Sequence, residues 1–246
     1  GRSWPRTCSF GPSESGTRIA LVGDSHATMW STPIRKAAEH NGWRLTIMTK
    51  TACPPMLGVH ARKQMSIDGG ASCRAWRRNV IDKLQADPPA LIILASSDGY
   101  KLKGLKGGFK PRAQWPTIWR KGLKRMIAAL PQSSRVLVLG DVPHNDLNPR
   151  ACLSRNRKDM SACVSHNDQP MSRKIEAGWR AAAKDKGAQF RTLKGKICSY
   201  QPCPLVQGNI LMWRDKGHIT EKFAVQLTPA VRTLLEQSLS SPAQRR

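Results

Sequence analysis

The chain has 246 residues, with 41 Lys plus Arg against 16 Asp plus Glu and a formal net charge of +25 at pH 7. That length and a hydrophobic content of 39% suit one large globular domain with a real core, or two small ones. No apolar run approaches the ~20 residues that span a bilayer, and no signal-peptide pattern opens the chain.

Strand-length apolar runs alternate with helical stretches. Candidate strands fall at 18–23, 44–49, 90–96 (ALIILAS) and 135–140 (RVLVLG), with a weaker one at 189–193. Helices are expected at about 27–41, 74–86, 114–130, 168–187 and 219–238. Near-continuous apolar strands between helices predict an α/β fold: a mainly parallel five-stranded sheet, doubly wound, with helices on both faces. The loops 54–72, 98–113 and 143–167 are long for such a domain, which points to function or disulfide stapling.

Ligands of such sheets bind beyond the carboxyl ends of the strands. The polar residues gather there: Gly23-Asp24-Ser25-His26 after the first strand, KTACPP after the second, SSDGY after the third and DVPH after the fourth. Serine before a helix is more often a cap than a nucleophile. The other half of a catalytic set lies in WRDKGHITEKFA, where Asp215 and His218 stand three apart before an amphipathic stretch. A serine nucleophile needs a histidine to take its proton and an acid to fix the tautomer of that histidine.

GDSHA near the start and D-x-x-H-I-T near the end resemble the SGNH (GDSL-like) hydrolase superfamily. CSFG, TKTACPPM, SCRAWRRNVIDKL, VLGDVPHN and CSYQPCP resemble one branch of it. That branch is the extracytoplasmic SGNH domain fused behind the membrane acyltransferase-three domain of bacterial O-acyltransferases. The resemblance runs from about Cys8 to Leu235 and implies a three-layer SGNH-hydrolase-like fold. It implies Ser25 as nucleophile, His218 as general base and Asp215 as orienting acid. The Ser25 amide would be one oxyanion-hole donor. The superfamily takes others from a glycine after the second strand and an asparagine after the third. Here neither is present, and the nearest substitutes are the backbone of Thr51 or Ala52 and the side chain of Ser97.

Asp24 reads as a brace for the turn. His26 and His144 are candidate substrate contacts, with packing at the helix start and a structural role as the plainer alternatives. Trp30, Trp43, Trp76 and Trp179 read as core; Trp115, Trp119 and Trp213 are the better candidates for stacking on a sugar, with core packing the favoured reading for each.

The seven cysteines contain no C-x2-C pair, so they do not read as a zinc site. Neighbour pairing gives Cys53–Cys73, Cys152–Cys163 and Cys198–Cys203, which favours an oxidising compartment; free buried thiols are the alternative. Cys8 is left over, and an upstream partner is inferred for it. The start at Gly1-Arg2-Ser3 reads as that of a fragment, so residues 1–17 are expected to be a linker from an upstream membrane region, 18–240 the SGNH domain and 241–246 a disordered tail.

The resulting expectation is O-acyl transfer, above all of acetyl, to a cell-envelope glycan on the outer face of the bacterial plasma membrane, through an acyl-serine. The acyl donor would be delivered by a fused or associated membrane acyltransferase domain. No metal or organic cofactor is implied. A carbohydrate esterase of the same fold is the first alternative, and a non-catalytic glycan- or lipid-binding module the second. The positive charge adds anionic membrane or wall polymer as a partner. Nucleic acid is the least favoured, because the basic residues are spread along the chain and no recognition motif accompanies them.

Overall fold

The structure, a computed structural model, describes residues 3–5, 7–14, 16–104, 108–166 and 169–241. Strands β1 (Thr7–Phe10), β2 (Arg18–Gly23), β3 (Arg44–Thr49), β4 (Leu91–Ala95), β5 (Arg135–Leu139) and β6 (Gln189–Arg191) form one six-stranded sheet, ordered β1-β3-β2-β4-β5-β6. β2 to β6 are parallel, and β1 runs antiparallel to β3 with Cys8 opposite Ile47.

The helices packed on the sheet include α1 (Ser25–Met29), α2 (Ser31–His40), α3 (Ala71–Ala86), α4 (Trp115–Ala129), α5 (Pro170–Asp185), α6 (Glu221–Gln226) and α7 (Thr228–Ser240). Successive strand residues point to opposite faces, so each parallel strand feeds two cores. Ile19, Leu21, Ile93 and Leu137 join Trp30, Ile34, Phe223 and Leu235 from α1, α2, α6 and α7. Ala20, Val22, Leu94 and Val138 join Trp76, Leu123 and Trp179 from α3, α4 and α5. Both layers are therefore dictated by the period of the strands.

Two expectations change. Residues 7–10 are not linker but the sixth strand, which moves the start of the sheet to Thr7 and places Cys8, free and exposed, within it. Only Phe10 of that edge strand is even partly buried, so it carries neither an apolar run nor a clean alternation to be read. The helices expected over 27–41 and 219–238 are each two, meeting at Trp30 and Leu227. Pro33 and Pro229, near the starts of α2 and α7, have no N–H to continue the ladder of the preceding turn. Trp119 and Trp213 are fully buried, which is the core packing favoured for them over sugar stacking; Trp119 packs edge-on against Trp179 at 5.4 Å. Trp115 donates its ring N–H to the Lys110 carbonyl at 3.0 Å. The expected start of the fourth helix at residue 168 and the tail from 242 lie outside the described residues.

Beyond the β1 edge the order is that of a doubly wound sheet. The chain leaves β2 for β3 on one side and returns to β4 on the other, so the topological switch point lies at the carboxyl end of β2. No helix among the described residues is long and apolar enough to cross a membrane.

The three expected disulfides form, with Cα–Cα separations of 5.7, 5.8 and 5.4 Å for Cys53–Cys73, Cys152–Cys163 and Cys198–Cys203. The first ties the loop after β3 to α3 across 20 residues. Replacing both partners by serine should lower the unfolding free energy by about 2–4 kcal/mol, mainly by freeing the unfolded chain. Urea unfolding of the Cys53→Ser/Cys73→Ser protein reads this, and an unchanged midpoint would refute it.

Candidate active site

Three groups close the turn that presents Ser25. A Cβ at Gly23 would collide with the Ala95 carbonyl, so only glycine lets β2 end flush against β4. Asp24, fully buried, caps α1 by accepting the His26 amide on Oδ1 at 2.8 Å. Its Oδ2 accepts the Ser96 hydroxyl at 2.7 Å and the Ser97 amide at 3.1 Å. Asp24 is thus the brace expected of it, tying the ends of β2 and β4 together. Ser25 follows as the first residue of α1.

The Asp215–His218 turn explains its own spacing. Asp215 Oδ1 accepts the amides of Gly217 and His218, each at 2.9 Å, and His218 Nδ1 lies 2.9 Å from the same oxygen. Three residues is the separation at which one carboxylate can hold both the turn and the ring. The Arg214 amide donates to the His218 carbonyl at 2.8 Å, and the Asn145 amide to the Lys216 carbonyl at 2.7 Å, which docks the turn on the segment after β5. His218 Nε2 then sits 2.9 Å from Ser25 Oγ. The three residues from opposite ends of the chain make a closed Ser–His–Asp relay.

The electrostatics suit a base. Burial raises the Asp215 carboxyl, but the amides of Gly217 and His218 and the imidazole outweigh it and hold the group down at about 2. Burial, then the neighbouring His26 charge, lowers His218, with Asp215 opposing. A lowered imidazole is neutral, and so able to accept a proton, over a wider pH range.

Around the nucleophile, Ala52 has φ +58°, the only positive φ among described residues other than glycine. It occupies the third position of the turn closed by the Cys53 amide and the Lys50 carbonyl at 3.0 Å, in a conformation that glycine adopts freely and alanine at a cost. The Gln64 side chain holds the neighbouring Thr51 carbonyl at 2.8 Å. Ser97 gives its amide to Asp24, and its hydroxyl accepts the Gly99 amide at 3.2 Å, which leaves the hydroxyl proton to donate. The residue missed by sequence reasoning is Tyr100. Its phenol, buried and raised above its ordinary range by that burial and by Asp24, interacts with the side chains of Asp24 and Ser25. The aromatic at the end of SSDGY is the signal that could have found it.

His26 and His144 do not present themselves as open substrate contacts. His26 is 4% exposed, and its Nδ1 lies 2.5 Å from Asp141 Oδ1. His144 Nε2 lies 2.8 Å from Asp141 Oδ2 and 2.9 Å from Asp98 Oδ1. Asp98, Asp141 and His144 are the one set of side chains among the described residues close enough to share a metal ion. The single nitrogen they offer is taken up between the two carboxylates.

A family model described as the SGNH domain fused to AT3 domains matches residues 1–233. The chain belongs to that SGNH family. Three solved structures show the same fold at low identity. The SGNH domain resembles the periplasmic domain of a lipopolysaccharide acetyltransferase from Salmonella ser. Paratyphi A with TM-score 0.68 and 17% identity, covering 91% of this chain and 85% of that one. It resembles a carbohydrate acetylesterase from Sinorhizobium meliloti with TM-score 0.54 and 12% identity, covering 89% and 98%. An aryl esterase from M. smegmatis gives TM-score 0.53 and 12% identity, covering 90% and 99%. No curated protein matches the chain in sequence.

The left-handed alanine of this SGNH domain gives a direct check. Glycine would relieve roughly 1–2 kcal/mol of strain and bring back about 0.5–1 kcal/mol of unfolded-state freedom. Ala52→Gly should therefore keep stability or raise it by up to about 1 kcal/mol, whereas Ala52→Val should lower it. Thermal unfolding of the two variants decides, and a clear loss in Ala52→Gly would contradict the backbone described.

Proposed function

We propose that this SGNH domain transfers O-acyl groups, acetyl foremost, to a hydroxyl of an extracytoplasmic envelope glycan by way of an acyl-serine. The observation that carries the reading is the Ser25–His218–Asp215 relay, with its two contacts of 2.9 Å. His218 takes the Ser25 proton as Oγ attacks the acyl carbonyl, and returns it to the leaving group. The Ser25 and Ala52 amides, the Ser97 hydroxyl and the Tyr100 phenol are the candidate donors for the oxyanion that forms; a single donor is worth about two to three orders of magnitude in rate. In the second half His218 deprotonates the acceptor hydroxyl, which displaces Ser25 from the acyl carbon.

Ser25 borders a cavity of about 600 Å³ whose lining includes Thr28, Thr32, Thr51, Arg214 and Glu221. Hydroxyl and charged groups around an acyl-serine suit a polyhydroxylated acceptor. The Salmonella relative is a periplasmic acetyltransferase domain by its description, and membership of a family fused to AT3 domains supports an acyl donor supplied from the membrane. The second reading, a carbohydrate esterase in which water replaces the glycan, is favoured by the relatives that are acetylesterases.

With an aryl acetate as acyl donor, Ser25→Ala and His218→Ala should abolish turnover, and Asp215→Asn should reduce kcat by orders of magnitude with the fold intact. Tyr100→Phe should lower kcat by about tenfold or more while leaving KM nearly unchanged. Activity of Ser25→Ala at the wild-type level would end the acyl-serine mechanism. Adding a soluble glycan to the wild-type reaction separates the two readings: acyl-glycan product supports transfer, and acetate alone supports the esterase.

The pH dependence follows from the sign of the His218 shift. A lowered base stays neutral further into the acid range, so kcat/KM should hold its plateau below the ordinary histidine range before it falls. A fall at or above that range would contradict the electrostatics described.

A further inference from the structure

We propose that His26 is a positioning residue for the general base: held by Asp141 in a hydrogen-bonded chain with His144 and Asp98 beneath the triad, it packs against the His218 ring and acts on it as a fixed neighbouring charge. The inference rests on the acyl-serine reading for its kinetic consequence, and on geometry alone for the chain itself.

The chain is continuous. His26 Nδ1 lies 2.5 Å from Asp141 Oδ1, and His144 Nε2 lies 2.8 Å from Asp141 Oδ2 and 2.9 Å from Asp98 Oδ1. The ends are tied to the sheet and to α5. Asp141 also accepts the amides of Val142 at 2.8 Å and Asp98 at 2.9 Å, and Asp98 accepts the Ser172 hydroxyl. The rings follow one another in series, His26 stacked on His144 at 24° and tilted by 52° against His218. The His26 centroid is 4.5 Å from that of His218 and 5.8 Å from that of His144.

Glycine makes this stack accessible to the backbone. A Cβ on Gly99 would come within 2.7 Å of His144 Cε1, and one on Gly217 would touch both His26 and His144 at 3.4–3.6 Å. Gly217 immediately precedes His218, so the turn that carries the base rests on the two imidazoles with no side chain between.

His144 presents one nitrogen to two carboxylates, so that nitrogen carries its proton. The side chain of Asp141 is fully buried and faces both imidazoles, and positive charge on them is what offsets its own. Burial opposes ionisation of every member. It is outweighed at His144 by Asp141 and Asp98, which lift the imidazole to about 10, and at His26 by Asp141, which raises it above its ordinary value. The charged or titratable groups facing His26 are Asp24, Asp141, His144 and His218. Those facing His218 are Asp215 and Arg214 from its own turn and His26 from α1. Arg214 is largely exposed and screened; His26 is buried and fixed. A cation at that distance from a ring repels a second proton while leaving Asp215 to hold the tautomer. It does for the base what a neutral packing residue could not.

His26→Gln keeps a donor for Asp141 and removes the charge. In that variant the titration of His218, followed by imidazole NMR, should move upward by about 0.5–1 pH unit, and the acid limb of kcat/KM for an aryl acetate should move with it. Asp141→Asn should move both the same way, because it withdraws the support that keeps His26 ionised. A His218 titration that stays in place, or moves downward, in His26→Gln would overturn the proposal. Should the variants fail to fold, the wild-type protein still decides. The ¹⁵N shifts of His26 should be those of an imidazolium at neutral pH, and a neutral His26 there overturns the proposal. The NMR readouts need no turnover, so an inactive wild type would sink the acyl-serine reading and leave this one standing or falling on its own.

Discussion

Asp24 is a carboxylate with no access to water, and its burial is tolerable because four donors surround it: the amides of His26 and Ser97, the hydroxyl of Ser96 and the neighbouring phenol of Tyr100. Those donors come from α1, directly after β2, and from the segment that follows β4. Satisfying one buried charge therefore aligns the carboxyl ends of β2 and β4 and sets where α1 begins. The position of Ser25 follows from that alignment, since it is the next residue along. The rest of the site is built outward from this point. The Asp215 turn reaches Ser25 from the last third of the chain, and the buried histidines support it from the side of β5.

Two different devices hold the surrounding loops. The Asp215–His218 turn organises itself, because its own carboxylate closes it. The loop after β3 is held from outside. Cys73 bonds Cys53, and the buried Arg77 donates to the Pro54 and Val59 carbonyls at 2.8 and 2.5 Å. Burial lowers Arg77 to about 9 without a carboxylate to meet it, so its hydrogen bonds to the loop carbonyls are what compensate its charge. A long irregular segment is thereby fixed at the rim of the active site.

The parallel strands were legible because each is buried on both faces and reads as a nearly unbroken apolar run. The triad was legible because its chemistry needs Ser25, Asp215 and His218 in local frames of a few residues. What could not be read arises from contacts between distant segments. β1 has one exposed face and pairs only along an edge. His26 and His144 are separated by more than a hundred residues, and only the sheet order brings both to Asp141. Tyr100 lies five residues past the end of β4, and only the fold brings it against Asp24 and Ser25.

The covalent bond from Cys53 to Cys73 lies one residue beyond the left-handed Ala52. The bond and the strained amide are therefore one mechanical unit, and the redox state of the surroundings acts on both. In a reducing compartment the sheet and the Ser–His–Asp relay lose none of their own contacts, but the turn after β3 loses its anchor and Ala52 is free to relax to a more comfortable φ.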